Sequence, residues 1–235
     1  MKLEPLRVST EEIFQSLVAV PGDPVTVAVT DPRIAYSGAF PAELDELPRA
    51  VETRRREFIA GRIAAHRAME KLGLSARPVL STRARAPSWP RGLTGSISHT
   101  ATTCVAAVAR AAQVRSLGID VEEETPLAAD LIATICTLEE RAWLATQPER
   151  ARGGLAKLIF SAKEAVCKCQ FPVTHRVLDF AAVLVTPDLD TGQFEATFLR
   201  RSGPVAQDAR LDGRFAVADG LIHTAVVLLP GMLPG

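Results

Sequence analysis

The chain has no net charge, no cysteine pair at the spacing of a metal or redox motif, and no apolar run long enough to cross a membrane. Each absence closes off a class. Lys and Arg number 27 and Asp and Glu 27, so the overall balance does not ask for a nucleic-acid partner. The one basic stretch has few aromatic residues interleaved to stack on bases. Cys104, Cys136, Cys167 and Cys169 form neither a CxxC pair nor a Cys/His cluster, which sets aside a disulfide framework and structural zinc and leaves a reducing compartment as the expectation. The amino terminus, Met1-Lys2-Leu3-Glu4-Pro5, carries early acid and no apolar signal core. Neither secretion nor membrane insertion is expected, and the cytoplasm is the expected location.

What is present is apolar material for a real core: 47% of 235 residues, in the range of one large domain or two small ones. Charge is unevenly placed along it. Residues 1–115 hold 16 Lys and Arg against 11 Asp and Glu, and residues 116–235 hold 11 against 16, so the halves carry +5 and −5. Most of the positive excess lies between Arg49 and Arg91, where Arg54, Arg55, Arg56, Arg62, Arg67, Lys71, Arg83 and Arg85 are offset by Glu52, Glu57 and Glu70. Such a run suits an anionic ligand, and taken alone it equally suits a solvated helix face.

The pattern predicts an α+β protein divided near residue 115. In the first half, 25–29 reads as a strand, 41–72 as a helix divided at Pro48 and ended by Gly73, 78–95 as a loop of turn residues, and 103–109 as a buried strand. In the second, 117–122 reads as a strand, 138–145 and 154–169 as helices, the latter stopped by Pro172, and 180–185 and 194–199 as strands. Residues 214–218 and 221–228 alternate about Asp219-Gly220, a specific hairpin signal. With no Gly/Ser linker between them, the halves 1–115 and 116–235 are expected to pack closely.

Three segments carry residue types that chemistry needs. In Gly118-Ile119-Asp120-Val121-Glu122 the two carboxylates share one face of a strand, with Cα atoms roughly 6–7 Å apart, so they can share a hard cation such as Mg²⁺; a wet edge strand would look the same. On the later helix Glu164 and Lys168 stand at i and i+4, off the apolar stripe of Leu155, Leu158, Ile159, Ala162 and Val166, a spacing that ordinary surface ion pairs also use. Between Pro87 and His99, glycines with freed N–H groups, Ser hydroxyls and an Arg suggest a phosphate cradle. Ser96 or Ser98 with His99 and Asp120 supplies the residue types of a hydrolase, but without a nucleophile elbow and with Ser and His nearly adjacent.

The order of these segments is more specific than any one of them. Trp-Pro-x-Gly-x-x-Gly-Ser-x-x-His from Trp89 is followed by Gly-Ile-Asp-x-Glu from Gly118 and by Phe-Ser-x-Lys-Glu-Ala-x-x-Lys from Phe160. This resembles the 4′-phosphopantetheinyl transferases of the surfactin and enterobactin type, which move the phosphopantetheine arm of coenzyme A onto a serine of an apo acyl or peptidyl carrier protein and release 3′,5′-ADP. Phe160 stands where surfactin-type enzymes usually have Trp, which favours the enterobactin-like branch.

The resemblance implies two pseudo-symmetric halves, each a small antiparallel sheet on a long helix, with the site at their junction. It implies a monomeric holo-[acyl-carrier-protein] synthase type enzyme with coenzyme A as co-substrate and Mg²⁺ as cofactor. Asp120 and Glu164 would be metal ligands, with Glu122 as a third ligand or holding a water. Glu164 or Glu122 would take the serine proton, and Lys168, assisted by Lys163, would stabilise the departing phosphate. Arg54 and Arg62 match the arginines on the 3′-phosphate of coenzyme A, Ser98 and His99 contact phosphate, and Arg85 aligns near the nucleotide. Positions 54 and 62 diverge by about 80° on an ideal helix, so Arg55 competes with Arg54 for that role. The alternatives are a non-catalytic coenzyme A and carrier-binding module, and a Mg²⁺-dependent hydrolase of nucleotide pyrophosphates.

Overall fold

The computed structural model describes residues 8–47 and 50–232. The first half contains α1 (Thr10–Leu17), β1 (Val25–Thr30), α2 (Pro41–Leu44), α3 (Glu52–Lys71), β2 (Leu80–Ser81), β3 (Pro87–Ser88), β4 (Leu93–His99) and β5 (Cys104–Arg110). The second contains β6 (Ser116–Glu123), α4 (Ala129–Ile135), α5 (Leu138–Thr146), α6 (Glu149–Thr174), β7 (Val183–Asp188), β8 (Gln193–Phe198), β9 (Arg210–Ala218) and β10 (Leu221–Leu228). The strands form a three-stranded antiparallel sheet, β1-β5-β4, a five-stranded one, β6-β10-β9-β8-β7, and the small β2-β3 hairpin. The expected α+β class holds, with α3 on the first sheet and α6 on β6 and β10 of the second. Among the described residues no helix is long and apolar enough to cross a membrane.

Several elements differ from the sequence reading, each for a local reason. α1 escaped it although Ser9 and Glu12 form a reciprocal capping box, Glu12 N–H donating to Ser9 Oγ and Ser9 N–H to the Glu12 carboxylate. The single helix expected over 41–72 is α2 and α3; Pro48, the expected divider, lies outside the described residues, as do Met1 to Pro5 and Arg49. α6 starts five residues before Gly154. Gly153 sits inside it because Pro126 packs there, where an added Cβ would come within 2.7 Å of the proline ring. Pro172 lies within the last turn rather than beyond the end, and the helix closes at His175 with φ 54°. Phe180–Ala182 is a short 3₁₀ turn capped by Asp179, so the strand after it begins at Val183. The Asp219-Gly220 hairpin is as expected, both residues having positive φ (52° and 75°) as a type I′ turn requires.

The two sheets meet edge to edge at β4 and β6, but no backbone ladder joins them. Instead the N–H of Ile119 donates to Ser96 Oγ (3.1 Å) and that of Val121 to Ser98 Oγ (3.3 Å). Alternate residues of β6 then divide its two faces. Leu117, Ile119 and Val121, fully buried, enter a core shared with Phe14 of α1, Val27 of β1 and Ala225 of β10, so the halves are not separate cores. Burial of each such side chain contributes about 1.5–3 kcal/mol. Gly118, Asp120 and Glu122 occupy the opposite face, toward α6.

That face approaches α6 closely at Gly118. A Cβ there would stand 1.9 Å from the Ala165 carbonyl oxygen and 2.6 Å from the Cys169 nitrogen, both backbone atoms with no room to yield. Gly118→Ala is therefore expected to lower the free energy of unfolding by at least about 2 kcal/mol. Urea denaturation measures this, and wild-type stability would mean that strand and helix stand further apart.

Candidate active site

Asp120 lies at the centre of the junction, only 3% exposed. Its Oδ1 accepts from Ser98 Oγ of β4 (2.7 Å) and pairs with Lys168 Nζ of α6 (2.6 Å). Its Oδ2 accepts from Ser161 Oγ (2.9 Å), one helical turn along α6 from Lys157. Glu122, two residues further on the same face of β6, is paired with Lys157 Nζ at 2.9 Å. Glu164 faces the same space with no hydrogen bond or ion pair among the described residues. Burial pushes its pKa above the ordinary carboxylate value, and the negative charges of Asp120 and Glu122 push it further, against an opposing pull from Lys168.

Asp120 and Glu122 of β6 thus face the same junction as Glu164 of α6, near enough to act on its pKa. Among the described residues, no three His, Cys, Asp or Glu side chains stand close enough as they are to hold a metal ion together. Lys168 and Lys157 pair two of the carboxylates. The donors themselves are hard oxygens, which suits Mg²⁺, and Glu164 is a half-buried carboxylate with no ion pair among the described residues.

The basic side of the site comes from α3 and the end of β4. Arg54 Nη1 stands 3.1 Å from His99 Nε2 and 3.4 Å from Glu57 Oε2. Burial lowers the His99 pKa, and Arg54 and Lys168 lower it further against Glu57. His99 therefore touches the acidic and basic groups alike. Arg55 points elsewhere, into a cleft lined by Tyr36, Ser37 and Ile59, so of the two arginines it is Arg54 that reaches the junction.

The phosphate cradle expected over 87–99 is not formed as drawn. Leu93–His99 is a strand paired residue for residue with Arg110–Cys104 of β5, and its glycine serves packing rather than freed N–H groups. A Cβ on Gly95 would lie 2.6 Å from the Trp89 ring and 2.5 Å from the Ala107 carbonyl oxygen. Ser98, expected on phosphate, gives its one hydroxyl proton to Asp120 while accepting from Lys168 Nζ (3.0 Å).

Three further expectations are corrected or qualified. Lys163 is fully buried on the far side of α6, paired with Glu140 of α5 (2.7 Å) and donating to the carbonyls of Ile135 (2.8 Å) and Phe180 (2.9 Å), so it cannot reach a coenzyme. Arg85 occupies the β2–β3 turn at φ 63°, exposed, and its side chain makes no bond among the described residues. Arg62 is 6% exposed, stacked over Phe58 and bonded to Ser81 Oγ (3.2 Å), with its Nε buried and unpartnered among the described residues.

Sequence reading missed Lys157, Ser161 and Glu57. Lys157, Ser161, Glu164 and Lys168 recur at steps of four, three and four, a polar stripe at helical period, and that was the available signal. Lys163→Met is expected to cost about 3–5 kcal/mol of stability, because Glu140 is left buried without its cation. Thermal or urea unfolding reads the loss, and a variant of normal stability with weakened coenzyme A binding would restore Lys163 to the site.

Comparison with known proteins bears on the same two halves. Residues 42–109 match the model of the 4′-phosphopantetheinyl transferase N-terminal domain, and residues 116–220 that of the 4′-phosphopantetheinyl transferase superfamily. The 4′-phosphopantetheinyl transferase Svp of Streptomyces mobaraensis is 42% identical over 206 residues, 86% of this chain and 83% of that protein. PptT, the 4′-phosphopantetheinyl transferase of Mycobacterium tuberculosis, is 36% identical over 198 residues, 80% of this chain and 86% of that protein. Enterobactin synthase component D of Salmonella typhimurium is 40% identical over 127 residues, about half of each chain (53% and 51%). The first model ends with β5, the second begins with β6, and the matched regions bring together the carboxylates, Lys168 and Arg54 described above, so the chain belongs to the 4′-phosphopantetheinyl transferase superfamily.

Proposed function

We propose that the chain transfers the phosphopantetheine arm of coenzyme A to a serine hydroxyl of an apo acyl or peptidyl carrier protein, releasing 3′,5′-ADP, as a holo-[acyl-carrier-protein] synthase type enzyme. The observation that supports this best is the meeting of three carboxylates with Arg54, His99 and Lys168 at one junction. A diphosphate drawn to the arginine and lysine would be repelled by Asp120, Glu122 and Glu164 unless a divalent cation lay between them. Mg²⁺ held by Asp120 and Glu164, with Glu122 as the third ligand or the holder of its water, would offset the charge that develops on the phosphate oxygens.

The chain's own residues divide the remaining work. Arg54 and His99 hold the 3′-phosphate, and the unpartnered Nε of Arg62 is a buried donor that a phosphate oxygen would satisfy. The serine oxygen bonds to the phosphorus adjoining pantetheine as the P–O bond to 3′,5′-ADP breaks, and the serine proton passes to a carboxylate. Glu164 suits that task better than Glu122, since it lacks a partner and its pKa is raised, whereas Glu122 is tied to Lys157. Lys168 donates to the departing phosphate.

Incubation with coenzyme A, Mg²⁺ and apo carrier proteins is expected to add one phosphopantetheine to a carrier, read by mass; carriers that never gain mass would refute transfer. Release of 3′,5′-ADP with no carrier present would point to a hydrolase instead. Arg54→Ala should raise the KM for coenzyme A by about tenfold or more, as loss of a charge-assisted hydrogen bond does. Arg55→Ala should leave that KM unchanged, and the reverse pattern would overturn the choice of Arg54.

A further inference from the structure

We infer that Ser161 and Thr224 are positioning residues that fix the carboxylate of Asp120 for cation binding, a role that rests on the metal reading given above. Both are fully buried, and Asp120 is nearly so. Thr224 lies directly opposite Asp120 in the β6–β10 register, while Ser161 faces it from α6. The carboxylate is thus braced from a helix and from the neighbouring strand.

Counting protons sets the direction of the chain. An ionised carboxylate only accepts, so the single Ser161 hydroxyl proton goes to Asp120 Oδ2 (2.9 Å). Thr224 Oγ1, 3.0 Å from Ser161 Oγ and 3.0 Å from the Ser161 carbonyl oxygen, then directs its own proton at Ser161 in either case. Ser98 donates to the other oxygen, Oδ1. With one hydroxyl on each oxygen, rotation of the carboxylate is closed off, and Oδ1 is left facing the cation it now holds, the Lys168 ammonium. If the Ser161 hydroxyl is removed, Oδ2 loses its donor and the carboxylate is free to turn both oxygens onto Lys168. A divalent cation then competes with a stronger ion pair.

The test is direct titration of the full chain with Mn²⁺, without coenzyme A, followed by electron paramagnetic resonance or calorimetry. Each protein's melting temperature is recorded alongside. Ser161→Ala is expected to weaken Mn²⁺ binding about 10-fold or more, in the range that outer partners of metal ligands command. Thr224→Val should weaken it in the same direction by a smaller factor, and Thr224→Ser, which keeps the hydroxyl, should restore wild-type affinity. Wild-type affinity in Ser161→Ala and Thr224→Val, with only a lower melting temperature, would make both residues merely structural and overturn the inference. Equal weakening in Thr224→Ser, which keeps the hydroxyl, and in Thr224→Val, which removes it, would show that the hydroxyl is not the group that acts and would overturn the inference too. If Ser161→Ala does not fold, the two Thr224 variants decide. A wild-type chain that binds no Mn²⁺ would refute the metal reading itself, an outcome distinct from the others.

Discussion

The contact between the Cα of Gly118 and the Ala165 carbonyl sets the distance on which the site depends. Ala165 follows Glu164, and Gly118 precedes Asp120 by two residues on the same face of β6. Pressing that strand onto that helix therefore places a carboxylate of each beside the other. A side chain at 118 would part the two elements, and the site would be two unrelated acidic surfaces. The alternation of β6 makes this compatible with stability, because Leu117, Ile119 and Val121 fill the core behind. One strand thus serves the core with one face and the site with the other.

Electrostatics explains how these carboxylates share one junction. Three carboxylates on adjoining elements would repel one another, and the Glu164 pKa, raised first by burial, is raised further by Asp120 and Glu122. Lys168 and Lys157 each neutralise one of the others. Arg54, beside His99, then continues the positive charge onto the first half. The +5 and −5 halves of the sequence meet along this line.

Much of this was legible in the chain because motif order survives folding. Asp120 and Glu122 share a face as their spacing requires, Glu164 and Lys168 lie one turn apart, and Asp219-Gly220 turns a hairpin. The failures came where a residue's surroundings were supplied from afar. A glycine at 95 suggests freed backbone groups, whereas it makes room for Trp89. The resemblance implies that Ser98 contacts phosphate, yet its proton goes to a carboxylate 22 positions later in sequence. The motif places Lys163 beside the site, whereas its helical phase places it inside. It stands four residues after Ile159 and three before Val166, both fully buried, so helical period alone already placed it inside. Its partner Glu140 belongs to another helix, and no local pattern announces that pairing.

The two serines at the meeting of β4 and β6 have an architectural consequence. All the hydrogen bonds between these strands among the described residues pass through the hydroxyls of Ser96 and Ser98. A regular ladder in their place would have fused three strands and five into one sheet, with the facing edges sealed. Substituting hydroxyls for peptide groups interrupts the weave while keeping the edges in register. The protein thus carries a seam stitched at two points, and the groups proposed for chemistry are gathered along that opening rather than on either finished surface.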